Sequence, residues 1–324
     1  MTDGPFFDDL RVGLVLDPAP PITLGAGEAA LYQAIAGDPL AIGLSTPVAE
    51  RLTGEPGAVV NPTLALHVSI GQSTVATRRV IANLFYRGVR LRRTVRVGDT
   101  LSTTVEIRGL REGRRRPDRA PRGTALLGIT TVDQGGRVVV EYERCPMLPF
   151  RNADAPETGH ADDLGGAETE LDWAAWAELA PAWDLSSLPE SGPWAVGESR
   201  VDPMRDTVSG ALALVRLTQN QAAAHRDPAR GQRDQRLVYG GHTIGLAQAS
   251  LHRLVPSTAT VLGWLSCDHT GPVFEGDVLE CTSELLDEHP LHGGHLRAFA
   301  VRVRAERDGE LVDVLDHRPV LLTR

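Results

Sequence analysis

The sequence predicts an α+β fold made twice in tandem, each copy one long buried helix followed by an antiparallel sheet. Three observations predict it. Each half has a mostly apolar helical run, at 63–75 and at 243–251, with strand-like runs behind it at short spacing. Asp38-Pro39 and Asp227-Pro228 close similar stretches at an offset of 189. The turn Gly276-Asp277-Val278-Leu279 matches Gly98-Asp99-Thr100-Leu101 in kind and place. Neither copy alone would cover its sheet edge, so the two should pack edge to edge.

Phe6, Phe7 and Leu10 anchor the start, and Pro18, Pro20 and Pro21 hold an extended lead-in. Thr23 and Gly25 precede a helix at 28–36 that stops at Gly37-Asp38-Pro39. Asn61-Pro62 opens the run 63–75, a buried helix whose β-branched residues leave a strand open. Strands are expected at 80–86, 91–97, 101–110, 124–133 and 138–145, with turns at Gly98-Asp99, Gly113 and Gly135-Gly136. Residues 152–172 shift to Asp, Glu, Gly, Ala and Pro, and read as an acidic linker between a repeat at 1–151 and a repeat at 173–324. Trp173, Trp176 and Trp183 read as packing where the linker meets the second body. In the second copy a short helix around Leu212, Val215 and Leu217 leads into a polar turn. A helix at 243–251, buried on most sides, and strands at 259–266, 278–286, 296–305 and 311–322 complete it. One long helix wrapped by a curved sheet, twice over, is a double hotdog.

Composition narrows the function. The chain is 42% hydrophobic and 23% charged, the balance of a globular protein. A formal charge of −9 disfavours nucleic acid as a partner. Cys145, Cys267 and Cys281 lack CxxC spacing and are odd in number, which suits a reducing compartment. No secretory pattern opens the chain and no window suits a membrane span, so the expected location is cytoplasmic. There is no lysine, which excludes Schiff-base chemistry and the lysine of a P-loop.

Chemistry concentrates in 212–251. Asn220 and His225 stand in an Ala/Leu-rich run, and Gly240-Gly241-His242 then heads a buried helix. Two glycines there leave backbone N–H groups open to a ligand oxygen. A histidine five residues after an Asn supplies a proton carrier beside a water-orienting amide. This is the outline of a site that adds water to a polarised double bond, or removes it. On the 189 offset His225 faces Ala36 and Asn220 faces Leu31, so one site per chain is expected, in the second half, with the first half shaping the substrate. Blander readings stand beside these: a surface role for His225, a helix-end cap for Asn220, a helix-start cap for His242 and a core place for His67. His289, His292 and His295 read as a hairpin turn rather than a metal site.

The segments QNQAAAHRDP and RLVYGGH, with the Gly-Asp turn, resemble the MaoC-like (R)-specific enoyl-CoA hydratases. FFDDLRVG, ALY around Tyr32, ANLFY (82–86) and GDTLST (98–103) extend the resemblance to the mesaconyl-CoA hydratase, or β-methylmalyl-CoA dehydratase, branch. Asn220 stands where most of the wider family has Asp, and Ala222 where it has a second Asn. Thr218 replaces a common aromatic, and Arg226 follows the histidine. The resemblance implies a hydratase/dehydratase of acyl-CoA thioesters, most closely mesaconyl-CoA, with no metal and no cofactor, CoA being part of the substrate. A homodimer is compatible with the apolar faces of such sheets. His225 would be the acid–base group and Asn220 would orient water or hold the histidine tautomer. Gly240 and Gly241 would form the oxyanion hole, with Tyr239 and His242 in substrate binding. Arg216, Arg230 and Arg236 are the arginines nearest in sequence for a second carboxylate. The Arg-rich run 111–123 reads as a solvated hairpin tip rather than a clamp for CoA phosphates. Rival readings are an (R)-3-hydroxyacyl-CoA dehydratase for ordinary chains, a thioesterase, and a non-catalytic acyl-CoA-binding hotdog. The thioesterase lacks an acidic residue in 243–251, and the binding module has no need of Asn220 and His225 in one copy only. With an ordinary histidine pKa of about 6.5, activity should fall near pH 6.

Overall fold

The structure, a computed structural model, describes residues 4–166 and 171–324. The first half runs β1 (Ile22–Thr23), α1 (Ala26–Ala36), α2 (Ala41–Leu44), α3 (Thr46–Thr53), α4 (Pro62–Gln72), β2 (Ala82–Leu91), β3 (Thr100–Glu112), β4 (Arg122–Val132) and β5 (Val138–Pro149). The second runs α5 (Trp173–Ala177), β6 (Ser199–Val201), β7 (Asp206–Thr207), α6 (Ala211–Leu217), α7 (Gly240–Leu254), β8 (Thr258–His269), β9 (Val278–Leu291), β10 (Gly294–Arg307) and β11 (Glu310–Thr323).

All strands join one antiparallel sheet, ordered β1-β3-β4-β5-β2-β8-β11-β10-β9-β6, with β7 beside β9. The halves meet at β2 and β8, where Phe85 lies opposite Asp268 and Arg90 opposite Gly263. The expected edge-to-edge join is therefore a continuous double-hotdog sheet, against which α4 and α7 pack together. The run 63–75 resolves as helix. Residues 63–72 are all buried, and an element surrounded by side chains must satisfy its backbone internally. Asn61 starts it, accepting the Thr63 N–H at 2.8 Å, and Pro62 occupies the first turn, where a missing N–H costs least.

The repeat extends to single hydrogen bonds. Leu24 exchanges backbone bonds with Gly98 and Asp99, and Val208 exchanges the same pair with Gly276 and Asp277. Gly98 and Gly276 stand 178 residues apart, as do Asn61 and Tyr239, which precede α4 and α7. The offset of 189 is thus a local match. Asp38 and Asp227 make the same turn, accepting the N–H of Leu40 and of Ala229 at 3.0 Å each, but only the first is followed by α2 and α3.

Residues 91–97 do not form the strand their alternation suggested, since β2 ends at Leu91. The segment instead passes the approach to α4, with Val60 N–H on the Val95 carbonyl and Val97 N–H on that of Ala58. Within 152–172, residues 167–170 lie outside the described residues. Ala161 bridges Arg111 beside the β3 edge, and Asp162 accepts the Leu110 N–H at 2.9 Å. Trp176 is buried beneath the Arg90 guanidinium, 3.8 Å from its ring centroid. Among the described residues no helix is long and apolar enough to cross a membrane.

Candidate active site

A cavity of about 250 Å³ opens between the halves. Thr74, Thr77, residues 80–84, Tyr86 and Arg144 wall it from the first half. Asn220, Ala222, His225, residues 237–240, Thr243 and His269 wall it from the second.

The Asn220–His225 loop is built by a tight stop to α6. Gln219 takes a left-handed backbone (φ 57°), and the Asn220 N–H closes on the Val215 carbonyl at 3.0 Å. Asn220 Oδ1 then accepts the Ala222 N–H at 2.9 Å. Arg226 clamps the Asn220 carbonyl through Nε at 2.8 Å and Nη2 at 2.6 Å. First-half residues hold the loop in place: Gln221 N–H bonds Thr74 Oγ1 at 2.7 Å and Ala223 N–H bonds the Arg78 carbonyl at 3.0 Å. The fully buried Asn220 is left with Nδ2 as a donor without a partner, in a residue that lines the cavity. Thr218 stays off the cavity wall; its hydroxyl bonds the Leu214 carbonyl and its own carbonyl packs on Gly71, where a β-carbon would lie 1.9 Å away.

His225 Nδ1 sits 2.8 Å from the Leu237 carbonyl. A carbonyl can only accept, so Nδ1 carries the proton and Nε2 keeps its lone pair. The ring is part-exposed to the cavity yet enclosed by the body of the protein. Desolvation first, then the charges of Arg144 and Arg226, lower its pKa to about 4, against the Leu237 bond, which raises it. The imidazole is neutral well below the pH 6 expected from an unperturbed histidine.

Gly240 and Gly241 open α7, and Tyr239 before them supplies no side-chain cap. Their N–H groups are the first two of the helix and have no intrahelical acceptor. Both positions require glycine. A β-carbon on Gly240 would lie 2.5 Å from the His269 ring, and one on Gly241 would lie 2.6 Å from the Tyr239 ring. Tyr239 lines the cavity and its hydroxyl donates to the His67 carbonyl at 3.2 Å. Gly241 and His242 are not in the cavity wall. His242 is buried with both ring nitrogens unpaired, so it neither caps the helix nor faces the cavity, and desolvation lowers its pKa to about 4. His67 lies in the core, as read, likewise unpaired.

The three arginines singled out by sequence are not brought to the cavity. Arg216 and Arg230 are exposed, and Arg236 lies 3.7 Å from Glu275. Two residues that sequence reading missed take their place. Arg144, on β5, is 3% exposed, with Nε on Asn83 Oδ1 at 3.0 Å and Nη1 on Ser73 Oγ at 2.7 Å. His269 ends β8 with Nε2 buried and unpaired; desolvation, then Arg144 and His225, lower its pKa to about 4. The signal for Arg144 was present. Val140, Tyr142 and Arg144 alternate with Glu141 and Glu143, so strand periodicity puts the arginine on the inward face.

A neutral imidazole nitrogen, an amide donor and an uncapped helix start thus share one enclosed wall. Such a set can deprotonate water, orient it and stabilise a developing oxyanion. No protein-family profile matches the chain. It is 32% identical over 318 residues to the β-methylmalyl-CoA dehydratase of Chloroflexus aurantiacus, spanning 94% of this chain and 89% of that protein. It is 30% identical over 314 residues to the mesaconyl-CoA hydratase of Cereibacter sphaeroides, spanning 94% and 90%. A Mycobacterium tuberculosis protein described as a double hotdog superposes with a TM-score of 0.89 at 41% identity, over 99% of each chain. A Chloroflexus aurantiacus protein described as a MaoC domain dehydratase superposes with a TM-score of 0.86 at 28% identity, over 100% of this chain and 98% of that one.

Proposed function

The chain belongs to the MaoC-like hotdog hydratase/dehydratases, related to their mesaconyl-CoA hydratase and β-methylmalyl-CoA dehydratase branch, and from that premise we propose that it interconverts mesaconyl-CoA and β-methylmalyl-CoA. Hydro-lyase activity on an enoyl-CoA-like substrate comes with the family. The acyl group and the residue roles are the proposal. The observation that carries it is His225 with Nδ1 committed to Leu237, in the same wall as the unpaired Asn220 Nδ2 and Gly240.

In the hydration direction, Asn220 Nδ2 donates to a water oxygen and His225 Nε2 accepts one of its protons. The water oxygen bonds to the β-carbon, and the double-bond electrons move toward the thioester. Negative charge collects on the thioester oxygen, which accepts the N–H bond of Gly240, the residue of the α7 start that lines the cavity; one such donor is commonly worth about 10²–10³-fold in rate. The His225 imidazolium returns its proton to the α-carbon, and the enolate collapses to the saturated thioester. A conjugate acid with a pKa near 4 is a strong donor, suited to protonating carbon. Dehydration follows the same steps in reverse.

The test follows loss of enoyl-thioester absorbance with mesaconyl-CoA and with crotonyl-CoA, using His225→Ala as control. Rapid loss with mesaconyl-CoA, abolished in the variant, is the expected result. A preference for crotonyl-CoA would keep the mechanism and replace the acyl group, as in an (R)-3-hydroxyacyl-CoA dehydratase. No reaction with either ester, while CoA esters still bind, would leave the non-catalytic acyl-CoA-binding module.

A further inference from the structure

Among the described residues the buried arginines are Arg144 and Arg297; Arg297 and the half-buried Arg253 and Arg307 come with carboxylates. Arg297 lies 3.0 Å from Glu288, Arg253 lies within reach of both Asp202 and Asp206, and Arg307 of Asp277. Arg144 is the exception. Its two hydrogen-bond partners, Asn83 and Ser73, are neutral, and no carboxylate among the described residues pairs with it. Its charge is nonetheless felt across the cavity, since it holds down the protonated forms of both His225 and His269. A buried cation left without an anion is costly unless a ligand supplies one.

We propose that Arg144 is the specificity-determining residue of this site, receiving a carboxylate carried on the β-carbon of the acyl group. The assignment rests on the hydratase reading above and adds the residue that selects a dicarboxylic acyl chain. Three other groups of an acyl-CoA fit less well. The diphosphate of CoA is bulky, and Arg144 is only 3% exposed within the wall. The thioester oxygen has its own donor at the start of α7. An alkyl tail would displace cavity water from the guanidinium and offer nothing in return. Asn83 and Ser73 hold Nε and Nη1, which leaves Nη2 without a partner among the described residues. The same charge, close to His225, would also hold the substrate carboxylate beside the carbon that water attacks.

The experiment compares wild type, Arg144→Gln and Arg144→Lys in two measurements. The first is the ratio of kcat/KM for mesaconyl-CoA to that for crotonyl-CoA, which has a methyl in place of the carboxylate and no α-methyl; the α-methyl difference is constant across the variants, so only the change in the ratio is read. Removing one partner of a desolvated charge pair should lower this ratio about 10²–10³-fold in Arg144→Gln, with partial recovery in Arg144→Lys. The second is calorimetric binding of succinyl-CoA and butyryl-CoA, saturated esters that cannot be hydrated and differ in the same group. Wild type should prefer succinyl-CoA, and Arg144→Gln should lose that preference. An unchanged ratio in Arg144→Gln, or equal loss with both substrates in a folded variant, overturns the assignment. If wild type hydrates neither ester but still shows an Arg144-dependent preference for succinyl-CoA, the receptor stands and the hydratase reading falls. If it hydrates crotonyl-CoA without any preference for the dicarboxylic ester, the receptor falls and the hydratase stands.

Discussion

A shift of 178 residues carries the wall of the 250 Å³ cavity onto a second, smaller hollow of about 80 Å³. Leu237, Val238, Gly240 and Thr243 become Val59, Val60, Pro62 and Ala65. Residues 82–84 become 260–262, and residues 269–273 become 91–95. The frame is therefore the same in both places, and the chemistry is not. At the start of α7, Gly240 and Gly241 offer two uncapped N–H groups. At the start of α4 the equivalent positions are Pro62, which has no N–H, and Thr63, whose N–H is taken by Asn61. Tyr86 and Trp264 correspond, yet Tyr86 pairs across the sheet with Arg144 and Trp264 with Pro319. Among the described residues no loop like 220–225 reaches the second hollow; Leu179, Pro181 and Trp183 line it instead. The fold supplies a hollow twice. The donors at the helix start and the loop beside it decide which one can react.

The sharpest break in this comparison removes the base. His225→Ala should lower kcat/KM for the hydrated ester about 10²–10⁴-fold, the range for a positioned acid–base group, with an unchanged unfolding midpoint. In wild type the acidic limb of the kcat/KM profile should lie near pH 4, because the neutral ring is the active form and its pKa is lowered to about 4. A limb near pH 6 would mean that His225 is solvated and is not held by Leu237, Arg144 and Arg226 as described.

The next change makes α7 start as α4 does. Gly240→Pro deletes one amide donor, but its ring would strike His269, so both Gly240→Ala and Gly240→Pro belong in a His269→Ala background. Both fill the same space, and only proline removes the N–H. A further loss of about 10²–10³-fold in kcat for proline over alanine is expected. Equal rates for the two would remove Gly240 from the oxyanion site.

The comparison also shows what could be read from the chain. Helix and strand periods and the Gly-Asp turn revealed the double fold, because both report local geometry that each copy obeys. Asn220 and His225 were legible because they sit five residues apart in one loop. Alternation along β5 marked Arg144 as inward-facing but not as part of this site, and His269 carried no such mark, since both reach the cavity from β5 and β8 across the sheet and proximity in space left no trace in spacing. Arg216, Arg230 and Arg236 were chosen for nearness in sequence, which the fold does not turn into nearness in space. The 189 offset failed beyond one turn for a related reason. Asp-Pro favours the same side-chain-to-backbone bond wherever it occurs, so Asp38 and Asp227 look alike while the structures behind them differ.

Where the halves share rather than differ, the effect should appear in stability. His67 of α4, His242 of α7 and His317 of β11 are almost wholly buried, and desolvation lowers their pKa values to about 3, 4 and 3. The unfolded chain protonates each below about pH 6.5, while the folded chain does not until about pH 3–4. His225 and His269, lowered to about 4 by the same burial, add two more protons, so stability is full above pH 6.5 and falls as pH drops toward 4, by up to roughly 7 kcal/mol per pH unit for five protons. Urea unfolding at pH 7, 6 and 5 measures this. His67→Gln should flatten the slope by about a fifth, and an unchanged slope would mean that His67 already protonates in the folded state.

The smallest effect concerns the hollow that does not react. Trp183 is half-buried there, on the side where the first-half site would have stood. Trp183→Ala should cost about 1–2 kcal/mol from lost apolar burial, read as a lower urea midpoint at unchanged m. Hydration kinetics should not change, because Trp183 lines the smaller hollow and not the reactive cavity. A fall in kcat without a fall in stability would join the two hollows, and make the filled one part of how the open one keeps its shape.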